Sequence, residues 1–453
     1  MSPGRRAAPG TAADLAERDA WQRETHRERR LRLRELGIVA AAVVVLLAVL
    51  AIVPRAQLPA PASVPVSIGL SKSCAATEPG TLLATASQGQ LRVSGASTQT
   101  LDSPLSQQVG AGSERISPAD TQAAASGGVY GVSGAASWFS PCAESRTDQV
   151  VQVPGGEATL LVSNPDNFEA VVSITLTGPQ GALAADDLRD LRVPAHTTAT
   201  LDLSARIRGL PQVGARIRAT QGRVAAVARS GSAGALDYQD STGLARTSTV
   251  AAVPSGASKV TLLLTNSDTV RTSAKISAVG ESGSFDPGNG TILIEAERTV
   301  AVDVSGSVSA ESAALTVTAR SNIAVSAVSA VVTLGTDVGL LAGRTDSSIT
   351  SGDSAGLALP GPARLIVSNL ADGPREVTVN WGAGQAPLRR TIAAQATLAL
   401  FTPQDARTAE ISTGGPFVAG AAVTQTGLTL IPAQPIRATQ GELAARPAVD
   451  LGR

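Results

Sequence analysis

The chain has 453 residues, 43% of them hydrophobic, 16% charged and only 2% aromatic, with 37 basic side chains against 37 acidic ones. That balance argues against a nucleic-acid partner, which calls for a basic surface. Two histidines and two cysteines leave no material for a zinc cluster, an iron–sulfur site or a disulfide-dense scaffold. The length suggests about three domains. Many small and β-branched residues, 44 glycines and three lysines point to a mostly β protein with tight turns.

Residues 1–35 carry nine arginines and six acids and read as a cytoplasmic tail. Thr11-Ala-Ala-Asp14 resembles a capping box, and Asp14 with Arg18 and Glu28 with Arg32 are acid-before-base pairs four apart, so the tail reads as a solvated helix near anionic lipid. Leu36–Val53 is an uncharged apolar run closed by Pro54, at the short end of a membrane-spanning helix. Arg27, Arg29, Arg30, Arg32 and Arg34 crowd its N-terminal side while Arg55 stands alone beyond it, which predicts an inside N-terminus and an exterior remainder. Small residues near Ala60-Pro61-Ala62 leave cleavage open as the alternative to a signal anchor. A proline-rich spacer over 54–65 follows.

Residues 66–150 read as a degenerate β module that holds Cys74 and Cys142. An oxidising exterior favours a disulfide between them, and lipidation of Cys74 is disfavoured by Lys72 two residues before it. Trp138 is expected to pack on that disulfide.

A repeat of about one hundred residues then emerges. Leu160-Leu-Val-Ser-Asn164, Leu262-Leu-Leu-Thr-Asn266 and Leu365-Ile-Val-Ser-Asn369 share one pattern, each preceded by a proline turn and followed by a second turn and an alternating strand. In the first copy Val172, Ile174 and Leu176 share one face; in the third Val377, Val379 and Trp381 do. Short period-two runs separated by turns predict tandem immunoglobulin-like antiparallel β-sandwiches over 151–250, 251–355 and 356–435, with a C-terminal tail over 436–453. A β-propeller is the second choice, disfavoured because blades repeat at about 40–50 residues.

The Trp138-Phe139-Ser-Pro-Cys142 segment, the Val153-Pro-Gly-Gly turn and Leu160-Leu-Val-Ser-Asn-Pro165, behind an arginine-rich tail and one span, resemble an uncharacterised actinobacterial envelope family, the domain of unknown function numbered 5719. The resemblance covers most of residues 66–435. It implies an extracytoplasmic, membrane-tethered protein and carries over no catalytic or binding residue.

Chemistry-bearing motifs are sparse. Gly352-Asp-Ser354-Ala-Gly356 satisfies the nucleophile pattern, but the exterior holds one histidine, His196, in another repeat, and no base is placed to activate the serine. Asp186-Asp187 and Asp286 lie in turn sequences, and Asp202 and Asp303 occupy equivalent positions where the third copy has Ala399, so no metal, cofactor or catalytic set is assigned. One cluster stands out: Arg206, Arg208, Arg216, Arg218, Arg223 and Arg229 occur with no acid between Asp202 and Asp237. Alternation puts Arg216 and Arg218 on one solvent face, a candidate anion-binding face for a wall polymer or lipid headgroup. The expectation is a non-catalytic binding or scaffolding protein of the cell envelope, with the cytoplasmic membrane and an anionic wall polymer or a second envelope protein as partners. A carboxylate-dependent envelope hydrolase and a rigid stalk are the alternatives.

Overall fold

A computed structural model describes residues 63–67, 71–436 and 440–444, apart from 87–88, 96, 120–123, 135, 232–234, 336, 346–353 and 383. The tail 1–35, the apolar run 36–53, most of the spacer and the chain beyond 444 lie outside the described residues. Among the described residues no helix is long and apolar enough to cross a membrane. Ser63–Ser67 and Gln440–Ala444 pair with one another as a two-stranded sheet.

From Lys72 onward the protein is mostly β, built of several antiparallel sheets, because its sequence alternates. In Ala170–Gly178, Val172, Ile174 and Leu176 are inward and buried while Thr175 faces out. Branched side chains fit such a half-buried pleated surface. Among the described residues the helical segments are single turns, such as Ser204–Ile207 and Ser305–Val308.

The sheets sort into four pairs along the chain, each pair enclosing apolar side chains. In the second pair, Asp148–Val153, Val213–Gln221, Ala170–Gly178 and Gly181–Leu183 form one sheet. Thr198–Asp202, Ala158–Ser163, Ala225–Ser230 and Asp237–Asp240 form the other. In the third pair one continuous strand, Ala313–Ala330, serves both sheets. The chain crosses repeatedly between the two sheets of a pair, with short hairpins inside each sheet, as in a sandwich, whereas a propeller blade takes all its strands consecutively.

The repeated asparagines now have a physical role. The Asn164 side chain donates Nδ2–H to the carbonyls of Phe168 (2.8 Å) and Val193 (2.9 Å) and accepts from the Asp166 N–H through Oδ1 (3.0 Å). Asn266 bonds Val270, Glu295 and Asp268 in the same way, and Asn369 bonds Gly373, Ala393 and Ala371. Each asparagine thus satisfies buried backbone groups of two loops at once, which a shorter or apolar side chain would leave unpaired.

The four pairs are not strung end to end; they close into a ring. One edge strand of each, namely Ala136–Pro141, Asp237–Asp240, Val338–Ala342 and Thr429–Pro432, lies innermost and packs against two of its counterparts around a common axis. Neighbouring pairs share apolar cores: Leu161, Val227 and Tyr238 of the second pack with the core of the first, and Ile366, Val418 and Leu428 of the fourth with that of the third. Between second and third pairs the contact is polar, with the Gln152 Nε2–H donating to Leu263 O and Thr265 Oγ1, both at 2.8 Å. The fourth pair returns to the first: the Ser126 hydroxyl donates to Gly356 O (2.7 Å), and the Ala124 N–H to Ile436 O (3.0 Å).

Two buried carboxylates clasp the axis. Asp237 accepts the Phe139 N–H (3.1 Å) and the Leu340 N–H (2.8 Å), tying the second pair to the first and third. Asp337 accepts the Leu428 N–H (2.8 Å) and the Ser137 N–H (3.4 Å), tying the third to the fourth and first. The close approach requires a glycine: a Cβ at Gly427 would lie 2.0 Å from Asp337 Oδ2. Burial pushes the Asp237 carboxyl well above its ordinary value despite these donors. Asp337→Ala should leave donors from two other sheet pairs buried and unpaired, lowering stability by about 2–4 kcal/mol. Urea unfolding of variant and parent measures this as a lower midpoint.

Candidate functional site

Directly beyond the inner strands, each sheet pair sends one polar side chain toward the axis: Glu144, Asp240, Arg344 and Gln434. With Lys72, Arg146, Ser241 and Cys142 they line a cavity of about 10 Å³, room for a single water. Lys72, in strand Lys72–Ala76, is 1% exposed; its ammonium donates to Gln434 Oε1 (2.7 Å) and lies 3.9 Å from Glu144 Oε1. Arg146 pairs with Glu144 at 3.4 Å. Burial lowers the Lys72 ammonium to about 8, although Glu144 opposes the shift. Burial likewise raises the Asp240 carboxyl to about 6 against the pull of Arg344 and Arg146. At Glu144 burial acts upward, but Lys72, Arg146 and Arg344 outweigh it and hold the group below the usual carboxylate range. The cluster is a buried electrostatic hub that joins all four sheet pairs.

The Cys74–Cys142 disulfide is formed beside this hub, S–S 2.02 Å, linking the first strand of the ring to the end of its first inner strand. Trp138, 1% exposed, packs in the same core as both cysteines, and its ring meets that of Tyr238 of the second pair at a centroid distance of 5.1 Å with the planes tilted by 49°. Trp381 lies in the core of the fourth pair with Val377 and Val379.

The arginine cluster is placed otherwise than as a bare anion-binding face. Arg216 and Arg218 do share a face while Ile217 is buried, but Arg216 holds Asp148 in a bidentate pair at 2.8 and 2.6 Å, and Arg218 reaches the same carboxylate at 3.6 Å. The Asp148 carboxyl is held below its ordinary value: burial acts upward, and the hydrogen bonds and charges of the two arginines override it. Arg206 pairs with Asp187, Arg223 with Asp166 (3.2 Å) and Arg229 with Glu78 (2.9 Å). Arg208 makes no ion pair among the described residues. The run between Asp202 and Asp237 lacks acids, yet acids arrive from other strands and loops and engage each of these arginines except Arg208. A cavity of about 400 Å³ lies beside Arg216 and Arg218, walled on its far side by Ser267 and Glu297 of the third pair.

The nucleophile pattern is not assembled. Ser354 is 1% exposed in a strand where it faces Ser412, and residues 352 and 353 lie outside the described residues. His196 sits in a turn of the second pair, its Nδ1 3.2 Å from Arg115 of the first. Asp202 and Asp303 accept the N–H groups of Ser204 and Ser305, both at 2.9 Å, so their equivalence reflects a shared turn. Among the described residues no group of three or more His, Cys, Asp or Glu side chains is arranged to hold a metal.

Titration of the hub has a definite sign. Between about 4 and 6 the folded state holds a proton on Asp240 that the unfolded state has lost, so the stability it lends is present at low pH and lost as pH rises through about 6. For Lys72 the unfolded state binds the extra proton between about 8 and 10.5, so its contribution grows as pH rises through that window. Thermal unfolding from pH 4 to 10 should show the parent gaining on Asp240→Asn as pH falls below 7, and gaining on Lys72→Met as pH rises above 8.

No curated protein and no solved structure matches this chain. A family model matches residues 92–403, from the third strand of the first sheet pair to the loop after strand Thr397–Phe401 in the fourth, and so draws on all four pairs of the ring. Its description is a family of unknown function, DUF5719, and the chain belongs to that family.

Proposed function

We propose that this protein is a membrane-anchored, extracytoplasmic binding or scaffolding platform of the cell envelope, assembled from immunoglobulin-like sandwiches and without catalytic activity of its own. The observation that carries the reading is the Cys74–Cys142 disulfide, a bond that persists in oxidising compartments. It lies C-terminal to an apolar run whose arginine flank favours an exterior location for everything after Pro54. The binding role is supported by how the charged groups are used. The buried carboxylates hold backbone donors of neighbouring sheet pairs, and the arginines hold carboxylates, so the polar chemistry serves assembly of the ring. A ring that brings its fourth pair back to its first favours a platform over an extended stalk.

Protease added to intact spheroplasts should digest the region after residue 66 under reducing, partly denaturing conditions and spare an epitope placed in residues 1–35. Protection of the repeats until the membrane is lysed would overturn the topology.

A further inference from the structure

The outer sheets of the second and third pairs carry equivalent cross-strand rungs, in which Val150 and Thr249 are buried and the other residues partly or fully exposed. In the second pair one rung is Asp148, Arg218 and Ser173, and the next is Val150, Arg216 and Thr175. In the third the corresponding rungs are Thr247, Thr318 and Lys275, then Thr249, Thr316 and Ser277. Where the second pair carries an arginine–aspartate network across its face, the third carries hydroxyls, with Thr249 Oγ1 and Thr316 Oγ1 in contact at 3.0 Å. Long charged side chains occupy the one face, beside a cavity of about 400 Å³, whereas short hydroxyl side chains line the cavities on the other.

The open face is a groove. Cavities of about 300 and 620 Å³ lie along it and share Ser277, Val279 and Gln395 as lining residues. That volume is in the range of sites that enclose an organic ligand. The far wall comes from the fourth pair, where Gln395 sits in a left-handed backbone conformation (φ 46°). Glu297 (φ 53°) occupies the equivalent turn of the third pair and lines the cavity of the second, and His196 (φ 56°) occupies that of the second pair and meets Arg115 of the first. A non-glycine residue in this region costs about 1–2 kcal/mol, and in all three turns it delivers a polar side chain to the preceding sheet pair. Gln395 Nε2–H is held by Asp372 Oδ1 at 2.8 Å, which fixes the amide on the groove wall.

We propose that this groove, between the third and fourth sheet pairs, binds a neutral polysaccharide. Hydroxyls both donate and accept, which suits the hydroxyls of a sugar chain. Phe285 at one end of the larger cavity adds an apolar ring, partly exposed, for a sugar face to rest on. The charged lining groups, Lys275 and Asp286, are of opposite sign, so the groove offers no net attraction to a polyanion. The proposal deepens the binding role assigned above by naming its ligand class.

The test is affinity electrophoresis of the full chain, in a detergent without a sugar head group, through native gels containing dextran, mannan or galactan, with polygalacturonate as the anionic polymer. At least one neutral polymer should retard the parent. The variant T247V/S277A/T318V, which removes three hydroxyls from partly or fully exposed positions and keeps β-branching at two of them, should bind at least tenfold more weakly while unfolding at the parent's temperature. T318R, which places a long cation in the groove as in the second pair, should also lose retardation, and R218A should keep it. Absence of retardation by every neutral polymer, equal retardation of parent and triple variant, or retardation by polygalacturonate alone would overturn the proposal. The gel contains no membrane, so this result and the spheroplast result fail independently of one another.

Discussion

Four sheet edges converge on one axis, and the backbone donors along them must be satisfied where no further strand can pair with them. An open edge in water is solvated, whereas a buried one leaves N–H groups that each cost about 1–3 kcal/mol if orphaned. Asp237 and Asp337 answer that constraint, each accepting N–H groups from two other sheet pairs. Their burial disfavours the charged form, and the surrounding donors partly offset it. The hub around Lys72 is the second answer, with a cation, two arginines, two carboxylates and an amide closing the space just beyond the inner strands. Side chains do here what ladder hydrogen bonds do within each sheet.

Local structure was legible from sequence because it depends on residues close together in the chain. The repeated asparagines, the alternation of Val172, Ile174 and Leu176, and the inward face of Val377, Val379 and Trp381 each follow from spacing alone. The disulfide was legible from cysteine arithmetic, since two cysteines have one possible intrachain bond. Ring closure was not legible, because it rests on contacts such as Ser126 with Gly356 and Lys72 with Gln434, whose separations exceed any pattern window. The pairing of the arginine cluster was not legible for the same reason: its partners Glu78, Asp148, Asp166 and Asp187 come from other strands and loops. Lys72 left one faint signal. A chain with three lysines and far more arginines uses lysine at few places, and a lysine flanked by serines next to a cysteine is a strange choice for a solvated strand.

Equivalent positions in the repeats have diverged by exchanging one kind of polar surface for another. The Arg216 and Arg218 positions become Thr316 and Thr318, and the turn residue His196 becomes Glu297 and then Gln395. The backbone frame persists because the asparagine and the inward aliphatic residues maintain it, which leaves the outward positions free to differ. Outer faces of one architecture thereby acquire different chemical characters within a single chain.

The seam between the fourth and first sheet pairs is the one that no connecting segment crosses. Ser126 and Gly356, which meet there, are 230 residues apart, so at ribosomal speeds of about 5–20 residues per second the earlier partner waits on the order of tens of seconds for the later one. Throughout that interval Phe139 and Tyr130, whose packing partners lie in the fourth pair, are without cover. A nascent chain of this design therefore carries a sticky flank until its last strands emerge. Any factor that escorts it has a defined surface to shield and a defined moment to let go.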